Sequence, residues 1–214
     1  NTIDASGGTL ELAGSHGLDG ITTNANTTLK INTSGGISRT DSGTSTVGNL
    51  VLSQGGASSV SFGVDNMSLT VGGTAQFVGD NITQSNGNLN FQGTPSFDNM
   101  SSLSVSNGGL ILQNGGTFDN SSVNFSDSVF KPSGTVSVTS GGSFTLNDNS
   151  SIVLQGDTIL SQSGTASWPE LDLGGKVLTL DNVSTFTIQK ALNIANGESL
   201  ISRSTDLNLS NTVT

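Results

Sequence analysis

The sequence predicts an all-β fold, a β-solenoid in which three short strands form one coil of about 20 residues and roughly 10 coils stack into a rod. The first observation behind this prediction is the alternation of apolar and polar residues in short groups. It is seen at Leu10-x-Leu12, Leu69-x-Val71 and Phe144-x-Leu146, with Gly, Asn, Asp or Ser between groups. A period of two is typical of half-buried strands, and helical spacing is not sustained anywhere in the chain.

The second observation is a repeat of the apolar groups. One series with a step of about 20 residues consists of Leu10, Leu29, Leu50, Leu69, Leu89, Leu110, Val129, Ile152, Leu171, Leu192 and Val213. Such a period accommodates three strands and three bends, which is what a three-sided parallel solenoid requires. Inward Leu, Val, Ile and Phe would then fill the axis, and outward Ser, Thr, Asn and Gln would face water.

Two local motifs are predicted to form the corners between strands. Gly-Gly pairs precede several strands, as at Gly115-Gly116 and Gly141-Gly142. The second motif is Asp-Asn followed by x-Ser/Thr, and it occurs at Asp65-Asn66, Asp80-Asn81, Asp98-Asn99, Asp119-Asn120, Asp148-Asn149 and Asp181-Asn182. Gly and Asn tolerate a positive φ, and Asp and Asn side chains bond back to the backbone, so both motifs favour bends.

The chain is interpreted as one β-solenoid domain over residues 1–214, with residues 1–47 less regular than the rest. Residues 13–28 and 32–46 are mostly polar, and we expect them to project from the rod as loops. Pro132 and Pro169 mark two further departures from the repeat. Because the first residue is Asn rather than Met, we expect a mature or trimmed form. A secretory signal is not seen.

Composition and charge exclude several classes of function. Six Lys and Arg against sixteen Asp and Glu give a net charge of −10, which disfavours nucleic acid and anionic lipid as partners. The chain contains no Cys, so disulfides and Cys-ligated metals are excluded. Apolar runs are too short to cross a bilayer, and membrane insertion is not expected.

Residues 133–157 carry a resemblance to known proteins. They are similar to the passenger regions of autotransporters and of filamentous-haemagglutinin-type adhesins. The similarity is carried by the run that starts at Gly134, Gly-Thr-Val-Ser-Val-Thr-Ser-Gly-Gly-Ser-Phe-Thr-Leu-Asn-Asp-Asn. In composition and periodicity, the resemblance extends over most of residues 48–214. It implies a right-handed parallel β-helix and a secreted, extracellular or cell-surface location.

Candidate catalytic groups are few. His16, the only histidine, is interpreted as a solvent-exposed loop residue. Asp98 with Asp119, and Asp127 with Asp148, are placed to stack one coil apart, and such stacking of like charges would raise one pKa. Trp168 with Glu170 and Asp172 is the one local aromatic–acid group. We predict no catalytic, cofactor-binding or metal-binding residue, and no enzymatic activity.

Three alternatives remain open at the level of sequence. Stacked Asp and Asn oxygens suit structural calcium, although the Gly-Gly-x-Gly-x-Asp repeat is absent. Irregular Thr spacing disfavours ice binding. Glycosylation is the alternative to a purely structural corner role at Asn66, Asn81, Asn99, Asn120, Asn149 and Asn182.

The sequence therefore predicts a non-enzymatic structural rod of an adhesin or an extracellular filament. Its expected partners are further copies of the chain, end to end or side by side, or the surface of a host or neighbouring cell. Either the chain is cut from a longer passenger, or its ends stack into a filament. The alternative is a β-helix that binds or cleaves carbohydrate. Phe144 is predicted to point inward, so Phe144→Asp is expected to unfold the rod locally.

Overall fold

The structure, a computed structural model, describes residues 2–3, 7–12, 16–31, 35–38, 43–53, 61–79, 81–100, 102–147, 149–203, 206–209 and 213. These residues form 27 β-strands, and none of them lies in a helix. In chain order the strands are β1 (Thr2–Ile3), β2 (Thr9–Leu12), β3 (His16–Asp19), β4 (Thr22–Thr23), β5 (Thr28–Ile31), β6 (Gly35–Ser38), β7 (Thr44–Val47), β8 (Asn49–Ser53), β9 (Ser61–Asp65), β10 (Ser68–Val71), β11 (Ala75–Val78), β12 (Asn81–Ser85), β13 (Asn88–Phe91), β14 (Ser96–Asp98), β15 (Ser102–Ser106), β16 (Gly109–Leu112), β17 (Gly116–Asp119), β18 (Ser122–Ser126), β19 (Val129–Pro132), β20 (Gly134–Thr139), β21 (Ser143–Leu146), β22 (Ser151–Val153), β23 (Thr158–Trp168), β24 (Leu171–Asp172), β25 (Val177–Ile188), β26 (Ser199–Arg203) and β27 (Asp206–Leu209).

The strands form three parallel sheets, which we name A, B and C. Sheet A has nine strands in the order β1-β4-β7-β10-β13-β16-β19-β22-β24. Sheet B has eleven, β2-β5-β8-β11-β14-β17-β20-β23-β25-β26 with β27 also on β25, and sheet C has seven, β21-β18-β15-β12-β9-β6-β3. Through most of the rod, successive strands of the chain belong to sheets A, B and C in turn. The prediction of a three-sided β-solenoid is therefore confirmed. The strands make about 8 turns of roughly 21 residues.

Inward positions stack in register through the rod. In sheet A, Leu69 pairs with Leu89 and Leu89 with Leu110, each one coil further along. In sheet B the equivalent column runs Phe77, Phe97 and Phe118. All six side chains are buried. The alternation seen in the sequence therefore identifies the inward face correctly in this region.

The predicted series of apolar residues changes sheet in the middle, which corrects the sequence analysis. Leu10, Leu29 and Leu50 pair successively in sheet B. Leu50 then pairs with Ala75 rather than with Leu69, which belongs to sheet A. The coil from Leu50 to Ala75 is longer than the coils on either side of it. A constant step of about 20 residues from Leu50 therefore ends at Leu69 in sheet A, before the chain returns to sheet B at Ala75.

A second correction concerns Val129. It pairs with Gly109 and lies on the outer side of β19, while Phe130 takes the buried position that continues the Leu110 column. The two residues are adjacent and both apolar, so spacing alone does not show which of them points inward.

The two polar N-terminal stretches contain strands, so the expectation that they project as loops is wrong for the residues described. Residues 13–28 include β3 and β4, and residues 32–46 include β6 and most of β7. β3 pairs with β6, and β6 pairs with β9. A parallel ladder is made by backbone groups, so small polar residues extend it where apolar ones are few. Residues 13–15, 32–34 and 39–42 lie outside the described part.

Left-handed residues turn the chain at the corners, as the Asp-Asn motif predicts. Asn66, Asn99 and Asn120 lie at corners between strands with φ between 45° and 55°, whereas Asn182, with φ 58°, lies inside β25. Asn81 differs, because it is the first residue of β12 and Gly79, with φ 69°, occupies the corner before it. Asp80 and Asp148 lie outside the described residues.

The last third of the chain departs from this plan. β23 has 11 residues and β25 has 12, so the chain continues as strand beyond the point where sheet B ends in earlier coils. Their pairing shifts register between Ser161 and Gly164 and again before Thr165. Sheet C ends at β21.

Candidate functional site

Asp98 and Asp119 form the acidic pair that the sequence placed one coil apart, and the structure pairs them in register at the ends of β14 and β17. Adjacent strands of a sheet lie about 4.8 Å apart, so the two carboxylates are neighbours along the rod. Both are partly exposed. Asn99 and Asn120 follow them at the corner between sheets B and C, and these four residues form a polar column.

The hydrogen bonds of this column hold Asp119 as an acceptor. Thr139 Oγ1 donates to Asp119 Oδ1 over 2.6 Å. Hydrogen bonds from the side chains of Ser140 and Thr139, in that order of importance, lower the pKa of Asp119 below its ordinary value of 3.8. Stacking of like charges was expected to raise the pKa of one member of the pair, and the pKa of Asp119 is not raised. A general acid at neutral pH requires a raised pKa, and Asp119 has the opposite shift.

Asparagine amides continue the column between coils. Asn120 Nδ2 donates to Asn99 Oδ1 over 2.8 Å, and Asn99 Nδ2 donates to Asp98 Oδ1 over 2.5 Å. Beneath them, the buried Ser121 hydroxyl accepts from the backbone N–H of Met100 over 3.0 Å. These polar groups are therefore bonded to the neighbouring coil or to the adjacent residue.

A second polar column, which sequence analysis did not identify, lies at the corner between sheets C and A. Asn66, Asn86, Asn107 and Asp127 are all left-handed there, with φ between 50° and 55°. Asn86 Nδ2 donates to Asn66 Oδ1 over 3.0 Å. The signal was the recurrence of Asn, once per coil, shortly before the next strand.

Asp127 belongs to this second column and is held by amides. Its backbone N–H donates to Asn147 Oδ1 over 3.1 Å, and Asn149 Nδ2 donates to Asp127 Oδ1 over 2.8 Å. The proposed stacking of Asp127 on Asp148 falls outside the described residues.

One fully buried polar side chain accompanies the second column. Gln84 occupies an inward position of β12 between Val64 and Val105, and its Nε2 donates to the carbonyl of Gly87 over 2.6 Å. Its Oε1 is buried without a hydrogen-bond partner among the described residues.

Trp168, Glu170 and Asp172 do not combine into an aromatic–acid site. Trp168 is only 2% exposed and packs edge-on against Phe186, with ring centroids 4.8 Å apart. Glu170 is paired with Lys190 Nζ at 2.6 Å. Trp168 therefore presents no ring face on which a sugar could stack. The alternation Ala166-x-Trp168 was the signal that this ring points inward.

Two open grooves, each of about 300 Å³, lie on the outside of the rod between residues 134 and 193. The first is lined by Glu170, Leu171, Asp172, Ala191 and Asn193. The second is lined by Gly134, Thr135, Asp157, Thr158, Ile159, Val177 and Thr179. In the first, Asp172 Oδ1 also accepts from the backbone N–H of Gly174 over 2.9 Å.

His16 lies in β3, where it pairs with Gly35, rather than in a loop as the sequence suggested. In the part of the chain that the structure describes, no three His, Asp or Glu side chains come close enough together to hold a metal ion.

The Asn-x-Ser/Thr acceptors are mostly at the surface. Asn66, Asn99, Asn120, Asn149 and Asn182 are exposed, whereas Asn81 is half-buried and accepts from Ser102 Oγ over 3.0 Å. Glycosylation of these residues stays a prediction that an intact mass tests.

Comparisons with protein-family models, with curated proteins and with solved structures gave no match. A search of the described residues for a helix long and apolar enough to span a bilayer found none.

Proposed function

We propose that this chain is a non-enzymatic structural rod, a β-solenoid segment of a secreted or cell-surface adhesin or of an extracellular filament. The observation that carries the proposal is the use of polar side chains at the two corner columns. The Asn86–Asn66 and Asn120–Asn99 bonds and the Thr139–Asp119 bond all join one coil to the next. Polar groups in these columns reinforce the rod instead of converging on a reaction centre.

The mechanical basis is the stacking of coils along one axis. Parallel backbone ladders spaced about 4.8 Å apart run along the axis, so the ten successive strands of sheet B extend over about 45 Å. Inside, Phe77, Phe97 and Phe118 stack with centroid separations of 4.7 and 4.5 Å. Ladder, stack and outer amide bonds all resist separation of the coils.

Self-association end to end is part of the proposal. The last described coil leaves Leu207 and Val213 38% and 43% exposed, and Leu200 and Leu209 are only partly buried. An unpaired strand edge beside apolar side chains recruits a further strand. A further coil stacked on β26 and β27, whether of the same chain or of a second copy, would cover these side chains and continue sheet B.

Negative-stain electron microscopy at rising protein concentration tests this proposal. We expect short rods at low concentration and uniform fibres a few nanometres wide at high concentration. The matched variants Leu207→Asp and Asp206→Asn separate apolar end packing from a general charge effect, because the two residues are adjacent in β27. Rods that stay single at every concentration would contradict self-association, and compact round particles would contradict the rod itself.

A β-helix that binds or cleaves carbohydrate is the second candidate, favoured by the groove that Glu170 and Asp172 line. Binding to a panel of neutral and acidic polysaccharides, measured by calorimetry, distinguishes the two functions. Binding lost in Asp172→Asn and kept in Asp206→Asn would support the second candidate. A structural rod is expected to show no such loss.

A further inference from the structure

Sheet C stops partway along the rod while the other two sheets continue. β19, β20 and β21 pair with β16, β17 and β18 in sheets A, B and C respectively. The next coil pairs with them through β22 in sheet A and β23 in sheet B. Among the described strands, β21 pairs only with β18. We call the junction between β19–β21 and β22–β23 the seam.

The remaining connections across the seam are uneven. Sheet A contributes the pairs Val129–Ser151 and Phe130–Ile152 only, whereas its preceding junction pairs all four residues of β16 with β19. Sheet B contributes a longer ladder, from Gly134–Thr158 to Val138–Gln162. Sheet B thus provides the longest ladder across the seam. In sheet A, the backbone N–H groups of Ser151 and Gln155 also donate across it, to the carbonyls of Ser128 and Pro132.

Side-chain packing changes at the same place. Phe144 and Leu146, the inward residues of β21, are only partly buried. Their counterparts in β18, Val123 and Phe125, are 0% and 3% exposed. The coil above the seam therefore covers β21 less completely than β21 covers β18.

Aromatic contacts divide into two groups with the seam between them. Below the seam, a connected set joins Phe77, Phe91, Phe97, Phe118, Phe125, Phe130 and Phe144. Above it, Trp168 packs on Phe186. No aromatic pair among the described residues crosses from one group to the other.

We infer that the rod consists of two cooperative blocks, β1–β21 and β22–β27, that unfold separately at the seam. In a solenoid, stability is the sum of the intrinsic stability of each coil and the terms between neighbouring coils. A junction at which β21 has no ladder partner above it among the described strands, and at which sheet A pairs at only two positions, has a smaller coupling term. Sub-global opening begins at such places. A rod of this construction yields at one defined level when it is stretched or heated. The inference does not depend on the proposed function.

The chain provides its own probe for this inference. Trp168 is the single Trp and the chain has no Tyr, so its fluorescence reports the C-terminal block alone. Far-ultraviolet circular dichroism reports strands in both blocks. In a urea titration of the intact chain, we expect the fluorescence midpoint to differ from the midpoint of the main dichroism change.

Two core variants keep the test valid even if the two blocks have the same stability in the parent protein. Phe97→Ala removes a buried ring below the seam, and Leu180→Ala shortens a buried side chain above it. We expect Phe97→Ala to lower the main dichroism midpoint by about 1 M urea or more and to leave the Trp168 midpoint unchanged. Leu180→Ala is expected to shift the Trp168 midpoint instead.

The result that overturns the inference is equal movement of both probes in both variants, because that is the behaviour of one cooperative unit. Probes that coincide in the parent protein and separate in the variants support it. If an Ala variant does not fold, Phe97→Leu and Leu180→Val repeat the comparison with smaller cavities and the same two outcomes.

Discussion

The middle of the rod and its C-terminal third turn the corner after sheet B in different ways. In the middle, a left-handed residue such as Asn99 or Asn120 ends the sheet B strand and a separate strand of sheet C follows. In the C-terminal third, β23 and β25 continue as strand through this point, with a shifted register in β23 and a left-handed Asn182 inside β25. The comparison indicates that a sharp corner keeps three separate sheets in register, and that a gradual corner accompanies the loss of sheet C.

The two regions also differ in how closely their backbones approach. A Cβ on Gly108 would lie 1.7 Å from the carbonyl oxygen of Gly87, and one on Gly87 would lie 1.9 Å from that of Met67. Beyond the seam, a Cβ on Gly175 meets nothing within 4 Å. The corner between sheets C and A in the middle region is therefore the tightest part of the stack.

The largest effect is expected from Gly108→Ala. A rigid backbone oxygen cannot make room for the new methyl group, so the free energy of unfolding should fall by about 3 kcal/mol or more. Gly175→Ala is expected to lose only about 1–2 kcal/mol, because it has space and must merely adopt a φ of 79°. Urea denaturation followed by circular dichroism measures both. Gly63→Ala, in a strand with open space, is the control and should change little; equal losses in all three would refute the close approach.

An effect of similar size is expected for the aromatic column. Phe118 is fully buried and stacks on Phe97 at 4.5 Å, so Phe118→Ala should cost about 3–5 kcal/mol. Phe144→Ala, at the partly covered seam, should cost about 1–2 kcal/mol because less apolar area is removed from the core. Thermal and urea unfolding give both values. A larger loss for Phe144 than for Phe118 would mean that the seam is as well packed as the middle.

A moderate effect is expected from the corner asparagines. Asn120 and Asn182 are both left-handed, with φ 45° and 58°, and Asn120 also donates to Asn99 Oδ1. Asn120→Ala should therefore be more destabilising than Asn182→Ala by about 0.5–1 kcal/mol, the contribution of one hydrogen bond. Melting temperatures of the two variants test this difference. Gly adopts a positive φ without strain but cannot donate to Asn99 Oδ1. Asn120→Gly should therefore recover only part of the stability that Asn120→Ala loses.

The smallest effect concerns acid. Because hydrogen bonds lower the pKa of Asp119, the stability they contribute is fully present above pH 3.8 and is lost as the pH falls through the lower pKa of the folded state. Ser140→Gly, which tolerates the φ of 53°, should raise the pKa of Asp119 more than Thr139→Val does. Carboxyl-carbon NMR titration measures each pKa.

Glu198 is the internal reference for that titration. The backbone N–H groups of Ala195 and Gly175 lower its pKa below 4.5. Glu198 lies in the C-terminal third, and neither variant touches its partners. A Glu198 pKa that moved with Ser140→Gly would show that the variant disturbs the whole rod.

Alternation and the repeat of about 20 residues together predicted much of this architecture. Inward residues recur at every second position of a strand, and Leu69, Leu89 and Leu110, one repeat apart, form one column. Which sheet a strand joins depends on the length of the corner before it. The additional length of the coil from Leu50 to Ala75 has no counterpart in the side-chain pattern. β3, β4, β6 and β7 were missed for a related reason, since backbone bonds form their ladders with few apolar side chains.

The sequence predicted where the Asp98–Asp119 pair lies, but it did not predict the direction of the Asp119 pKa shift. A spacing of one coil placed Asp98 beside Asp119 correctly. The direction of the Asp119 pKa is set by hydroxyls of the following coil, from Ser140 and Thr139, whose distance from the carboxylate depends on the corner geometry. Sequence periodicity identifies which residues share a column, and the hydrogen bonds within a column require the structure.

The stacking of parallel strands along one axis has a consequence for diffraction. Strands perpendicular to a long axis, repeated about every 4.8 Å, are the arrangement that gives the meridional reflection of cross-β fibres. Oriented films of this protein should therefore scatter at that spacing even when each molecule is a separate folded chain. In such films the reflection would report the internal order of one rod, and it would give no measure of aggregation.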